Sequence, residues 1–197
     1  MSVKKKYINT DIMKGIDDVF KSQSDEGIIE VIDDMNEFKL KYPNYSFISH
    51  SPVVRESRET TKIRVIYMAN LAEKINGNKG VSLNQCIHPG YDKNYKISDI
   101  LTLFRFDKFV LGFDISKAFH RLAISDDNSS KLLFFWFRDI ANGDFTPIVY
   151  RSKRVIFGMS VSPFLLQCCL FKMLVFDDDD DDLMNIDLNC VFTKVDT

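Results

Sequence analysis

The sequence predicts a mixed α+β protein, and three observations carry that prediction. Segments with helical apolar spacing alternate along the chain with segments of strand-like alternation. Two apolar runs, 132–137 and 145–150, flank the turn Asn142-Gly143-Asp144 and read as an antiparallel hairpin. Finally, 197 residues that are 45% hydrophobic, with seventeen Phe against one Trp, suffice for one aromatic-rich core, whether or not two subdomains share it.

In chain order, Ile12, Ile16, Val19 and Phe20 fall on one helical face, with Thr10 a fair N-cap and Gly27 placed to end the helix as a left-handed residue. A short strand, 28–31, follows. Residues 33–45 are charged and irregular around Pro43-Asn44 and read as a loop or a frayed helix. Residues 46–54 read as extended, because a residue before proline, here Ser51, is pushed out of the helical region.

Residues 55–61 form a polar hairpin turn, after which 62–67 alternate cation and apolar residue, placing Lys62 and Arg64 on one face. Such a pair suits a polyphosphate, Arg64 as a planar fork and Lys62 as a point charge, but a solvated strand face explains it equally well. A loop at 76–80 and the Pro89-Gly90 turn lead to a helix at 96–104.

The run Phe109-Val110-Leu111-Gly112-Phe113-Asp114 alternates as a strand, with three large apolar residues on one face and Val110, Gly112 and Asp114 on the other. The second face leaves room for another backbone and ends in a hard oxygen ligand. Taken alone, Asp114 reads more readily as a turn cap than as a metal ligand. Leu122 and Ile124 continue one face, and Asp126-Asp127-Asn128 caps a single helical turn.

Arg151, Lys153 and Arg154 precede Val155-Ile156-Phe157-Gly158 and suit either a sugar-phosphate backbone or a charged edge strand. Ser162-Pro163 opens a helix that is apolar nearly all round and therefore expected to be deeply buried. The six aspartates at 177–182 lack the spaced ligands and turning glycine of a metal loop and read as a self-repelling linker; 188–196 reads as a last strand.

The formal charge is −2, and setting those six aspartates aside leaves +4, compatible with a phosphate-binding surface without establishing one. Cys86, Cys168, Cys169 and Cys190 show no C-x-x-C spacing, so they read as buried thiols of a reducing, intracellular compartment, with no disulfide-linked partner. Lys4-Lys5-Lys6 has no apolar run behind it, and the most apolar stretch, 164–176, is short and interrupted by Gln167 and Lys172, so neither a signal peptide nor a membrane span is expected.

With these pieces in order, the chain resembles the reverse transcriptase domain of Pao/BEL-type retrotransposons. The resemblance runs from Glu26-Gly27-Ile28-Ile29-Glu30 to the Ser-Pro helix. It rests on Thr60-Thr61-Lys62-Ile63-Arg64-Val65, Ser82-Leu83-Asn84, Asp114-Ile115-Ser116-Lys117-Ala118-Phe119, Phe134-Phe135-Trp136-Phe137 with Tyr150-Arg151, and Phe157-Gly158-Met159-Ser160-Val161-Ser162-Pro163. It implies a right-hand polymerase fragment with the thumb missing: fingers-like residues 1–107, then a palm-like region, 108–197, of antiparallel strands backed by helices.

The resemblance assigns Asp114 to Mg²⁺, with the Ile115 carbonyl near one ion; Lys62 and Arg64 to the triphosphate; Phe119 to the deoxyribose, where it collides with a 2′-hydroxyl; and Phe157 and Gly158 to the border of incoming nucleotide and template. The implied partners are an RNA or DNA template-primer and dNTPs. The family's later Tyr-x-Asp-Asp signature aligns with Lys194-Val195-Asp196-Thr197, so Asp196 stands for the first carboxylate, while Lys194 and Thr197 replace the tyrosine and the second. A cation and a lost carboxylate oppose Mg²⁺, and little or no polymerase activity is expected of the chain alone. A non-catalytic nucleic-acid-binding remnant, or an inert fragment, is the alternative.

Overall fold

The computed structural model describes residues 11–54, 63–72, 74–75, 78–91, 96–106, 108–112 and 114–175. The expected turn at 55–61, Lys62, Phe113, the aspartate run, the last strand and Asp196 lie outside the described residues.

The described residues form a mixed α+β fold with small antiparallel sheets. Helix α1 (Asp11–Asp25) buries Met13, Ile16, Asp17 and Phe20. It stops where Gly27 takes φ 65°: the amides of Gly27 and Ile28 return to the carbonyls of Ser24 and Gln23, the paired bonds of a Schellman cap. The chain then enters β1 (Ile29–Ile32). Residues 33–45 resolve in favour of helix, α2 (Met35–Lys41), because the Asp34 carboxylate accepts from the amides of Asn36 and Glu37 at 2.7 and 3.2 Å.

The main sheet has the order β1–β7–β6. Strands β6 (Leu133–Asp139) and β7 (Asp144–Ser152) form the expected hairpin, and β1 adds to the far side of β7, with Val31 opposite Tyr150. Alternation on β6 sends Phe134 and Trp136 under α1, where they meet Phe20 and, from β7, Tyr150. Each such fully buried aromatic contributes about 2–3 kcal/mol relative to exposure. The opposite face of β6 puts Leu133 against Phe38 of α2 and stacks Phe135 on Phe47 with centroids 4.5 Å apart. Asp17, buried in α1, accepts from the Trp136 indole at 3.0 Å and pairs with Lys21, so its charge is not stranded.

Strands β2 (His50–Val54) and β3 (Ile63–Tyr67) form a two-stranded ribbon, with His50 opposite Tyr67 and Val53 opposite Arg64. Gly15 lets α1 approach β3 closely: a Cβ there would lie 2.2 Å from the Ile63 side chain. Two short strands, β4 (Lys74–Ile75) and β5 (Asn78–Lys79), pair with each other. Beyond them come a 3₁₀ turn at Leu83–Gln85, helix α3 (Ile97–Leu103), a second 3₁₀ turn at Ala118–Arg121 and helix α4 (Asp126–Ser129), capped by Ser125.

Three expectations are corrected. The described part of 109–114 makes no strand: Phe109 and Leu111 are 82% and 90% exposed, because alternation qualifies a segment for a sheet but a ladder needs a neighbouring edge, and no described strand pairs with this segment. Helix α5 (Ser162–Val175) is not deeply buried; Leu165 packs inward while Phe171 and Met173 are exposed. Its Ser162 hydroxyl donates to the Ile156 carbonyl at 2.8 Å.

Arg151, thirdly, faces no open surface. It sits on the central strand, 7% exposed, over the adjacent rings of Phe38 and Tyr42, and its guanidinium pairs with Glu30, which Lys153 also approaches at 3.3 Å. No helix among the described residues is long and apolar enough to cross a membrane, and Cys86, Cys168 and Cys169 are free thiols.

Candidate functional site

The site is built around the turn at Phe157-Gly158. Residues 122–124 run antiparallel to 153–155: Ala123 bridges Arg154, Ile124 donates to the Lys153 carbonyl and Val155 to that of Leu122. This pairing brings the 3₁₀ turn bearing Phe119 beside Phe157. The two rings meet edge to face with centroids 4.8 Å apart, and His120 meets Phe157 at 5.7 Å. Phe157 remains 44% exposed, so one side of this aromatic pair is open to a ligand.

Gly158 is held at φ 109°, and a Cβ on it would stand 2.0 Å from the carbonyl oxygen of Tyr67. Only glycine suits that conformation at that closeness. Tyr67 ends β3, which carries Arg64 on its exposed face, so this contact ties the cation-bearing ribbon to the aromatic pair. The Tyr67 ring itself points into the core against Phe134, and burial raises its phenol far above the usual value.

Asn84 closes the same turn from the other side. Its amide nitrogen donates to the Gly158 carbonyl at 3.0 Å, and its amide oxygen accepts from the Ser160 N–H at 2.9 Å. The Asn84 backbone N–H donates to the Ala69 carbonyl at 2.9 Å, and the Gln85 side chain accepts from the backbone and hydroxyl of Ser82, fixing the 3₁₀ turn on which Asn84 rides.

The approach to Phe119 is also pinned. Lys117 occupies the left-handed region, φ 55°, a strain of about 1–2 kcal/mol. Its ammonium reaches both Glu26 oxygens at the end of α1, at 2.5 and 2.7 Å. The hydrogen bond from Lys117, with another from Ser22, holds the Glu26 carboxyl below its usual range. Burial, reinforced by the Lys117 charge, pushes the His120 imidazole down, so it is neutral near pH 7.

Of the residues singled out by the sequence, the fold therefore brings Phe119, Phe157 and Gly158 together and joins the Arg64 strand to them through Tyr67. Asp114 and Ile115 are exposed on the segment leading to Phe119. Their carboxylate and carbonyl are suitable hard donors, but among the described residues no group of three or more His, Cys, Asp or Glu could hold a metal ion. The described donors alone therefore do not fit Mg²⁺, which takes six oxygens, some of them from water and substrate.

Asn84, Tyr67, His120 and the Glu26–Lys117 pair carry parts of the site to which the sequence attached no role. The signal for Asn84, Glu26 and Lys117 is their place in the quoted segments; nothing local marks Tyr67 or His120.

A separate cavity of about 330 Å³ lies between residues 46–49 and the segment after β3, lined by Phe47, Ile48, Met68, Leu71 and Leu83 among others. None of its lining residues is charged, so it does not suit a polyphosphate. Compared with known proteins, the chain matches no family model and no curated protein.

Proposed function

We propose that this chain is the fingers-and-palm portion of a retrotransposon-type RNA-directed DNA polymerase, and that its Phe119–Phe157–Gly158 surface is where a deoxynucleoside triphosphate would rest against the template-primer. One observation carries the reading: Asn84 of Ser82-Leu83-Asn84 and Phe119 of the 114–119 piece both reach the turn at Phe157-Gly158, and β3, whose Arg64 belongs to a further piece, abuts the same turn through Tyr67. In this reading Phe119 lies under the sugar and excludes a 2′-hydroxyl, Phe157 and Gly158 border the base pair, and Arg64 reaches the phosphates as a planar fork. Asp114, with the Ile115 carbonyl, would hold Mg²⁺ only if further oxygen donors join them, and Lys62 and Asp196 are assigned by resemblance alone.

Two assays test this. The first is incorporation of labelled deoxynucleotides on an RNA template with Mg²⁺. Little or none is expected; incorporation abolished by Asp114→Asn would make the chain a working polymerase. The second is binding of dNTP and of an RNA–DNA duplex: salt-sensitive duplex binding that is indifferent to Asp114→Asn and weakened by Lys62→Ala or Arg64→Ala, with no dNTP bound, would make the chain a non-catalytic nucleic-acid-binding remnant. A chain that binds neither duplex nor dNTP overturns the proposal in favour of an inert fragment.

A further inference from the structure

We infer that Asn84 is the positioning residue of this site: its side-chain amide sets the Phe157–Gly158 turn, and through it the spacing between the nucleotide-facing aromatic pair and the Arg64 strand. The inference rests on the nucleotide-binding reading above and adds a residue and a role to it.

The geometry is specific to asparagine. A primary amide offers a donor and an acceptor side by side, and here each is used on the same turn, the donor on the Gly158 carbonyl and the acceptor on the Ser160 N–H. The amide thus pairs with the turn as a neighbouring strand would. Aspartate could still accept from Ser160 but would set a carboxylate oxygen against the Gly158 carbonyl; alanine can do neither.

The placement is equally pointed. Asn84 hangs from Ala69, and Ala69 lies two residues beyond Tyr67, whose carbonyl abuts Gly158. One short stretch after β3 therefore grips the turn twice, through the Tyr67 carbonyl and through Asn84. Gly158 and Ser160 are exposed while Met159 between them packs into the core, so this grip acts on the outward-facing backbone of the turn. A wall that must meet a ligand needs such support, since a misplacement of an ångström is enough to lose binding.

The test combines dATP and ATP binding in the presence of Mg²⁺ with amide hydrogen exchange, on the full chain as wild type, Asn84→Ala and Asn84→Asp, at a temperature where all three are folded. Asn84→Ala is expected to weaken dATP binding about tenfold and to narrow the preference for dATP over ATP, because Phe119 shifts with Phe157. The Ser160 amide should exchange faster, while amides of β6 and β7 stay as in wild type. Asn84→Asp should keep Ser160 protected yet lose dATP affinity, which also decides the matter should the alanine variant fail to fold.

Wild-type dATP affinity and preference in both variants would overturn the positioning role while leaving the nucleotide reading intact. Unchanged Ser160 exchange in Asn84→Ala would show the clamp to be absent and overturn it equally. A wild-type chain that binds no dATP overturns the nucleotide reading, and the inference falls with it.

Discussion

The carbonyl oxygen of Tyr67 occupies the space in which any side chain at Gly158 would begin, 2.0 Å from the position of its Cβ. Backbone stands against backbone here, and neither side can yield by changing rotamer. The end of the β2–β3 ribbon and the turn bearing Phe157 are consequently one unit, and several consequences can be measured.

Gly158→Ala must both leave φ 109° and push the Tyr67 carbonyl aside. A loss of about 2–3 kcal/mol is expected, which for a chain of this size lowers Tm by roughly 4–12 °C. Gly27→Ala is the control. Its φ is also positive, but nothing lies within 4 Å of its Cβ, so only the conformational cost of about 1 kcal/mol applies. Thermal melts of the two variants should separate clearly; equal shifts would mean that the Tyr67 contact is not formed.

Arg151 is buried over the rings of Phe38 and Tyr42, and its Nε donates to Glu30 at 2.6 Å. Arg151→Ala removes the stacked plane and leaves a part-buried carboxylate with Lys153 as its remaining cation, an expected loss of about 3 kcal/mol in urea unfolding. Arg151→Lys should recover little, since an ammonium has neither a plane to lay over the two rings nor a fork to set against a carboxylate. Full recovery by lysine would show that charge alone matters at this position.

His50 sets a pH dependence. Its Nε2 lies 3.1 Å from the Phe135 carbonyl, which can only accept, so Nε2 carries the proton and Nδ1 is a buried acceptor without a partner. Rings from three elements surround it, Phe20 of α1, Tyr67 of β3, and Phe134 and Trp136 of β6, and none of them supplies a carboxylate. Burial pushes its pKa below the ordinary 6.5, as burial and Lys117 do for His120.

The unfolded chain therefore binds protons more readily than the fold, and the stability contributed by neutral His50 is complete above about pH 6.5 and is lost as pH falls below it toward the folded pKa. Tm should drop between pH 7 and pH 5, and His50→Phe should make that drop shallower. The lone tryptophan, with His50 5.6 Å away, provides a fluorescence readout of the same titration. A His50→Phe profile parallel to wild type would assign the acid sensitivity elsewhere.

Arg64 projects from the exposed face of β3. If it contacts phosphate, Arg64→Ala should weaken RNA–DNA duplex binding to a similar degree for every sequence and reduce the slope of log K against log salt by about 1. Tm should stay within about 1 °C of wild type, as for an exposed side chain with no packing role. An unchanged salt slope would remove Arg64 from the interface.

The features legible along the chain are encoded over a few residues. Helical spacing with Gly27 placed α1 and its stop, alternation around Asn142-Gly143-Asp144 placed the β6–β7 hairpin, and the Asp126-Asp127-Asn128 turn was found where expected, although its cap is Ser125. Each depends on dihedral preferences, caps and turn geometry that act within one or two turns of chain. The remaining features come from long-range packing. The alternating run before Asp114 finds no ladder partner among the described residues, Arg151 proved to be a buried ionic post, and Asn84, named only within a motif, closes on a turn 74 residues away. Those outcomes depend on which segments the packing of the core brings within hydrogen-bond reach, a distance in space that spacing along the chain does not record.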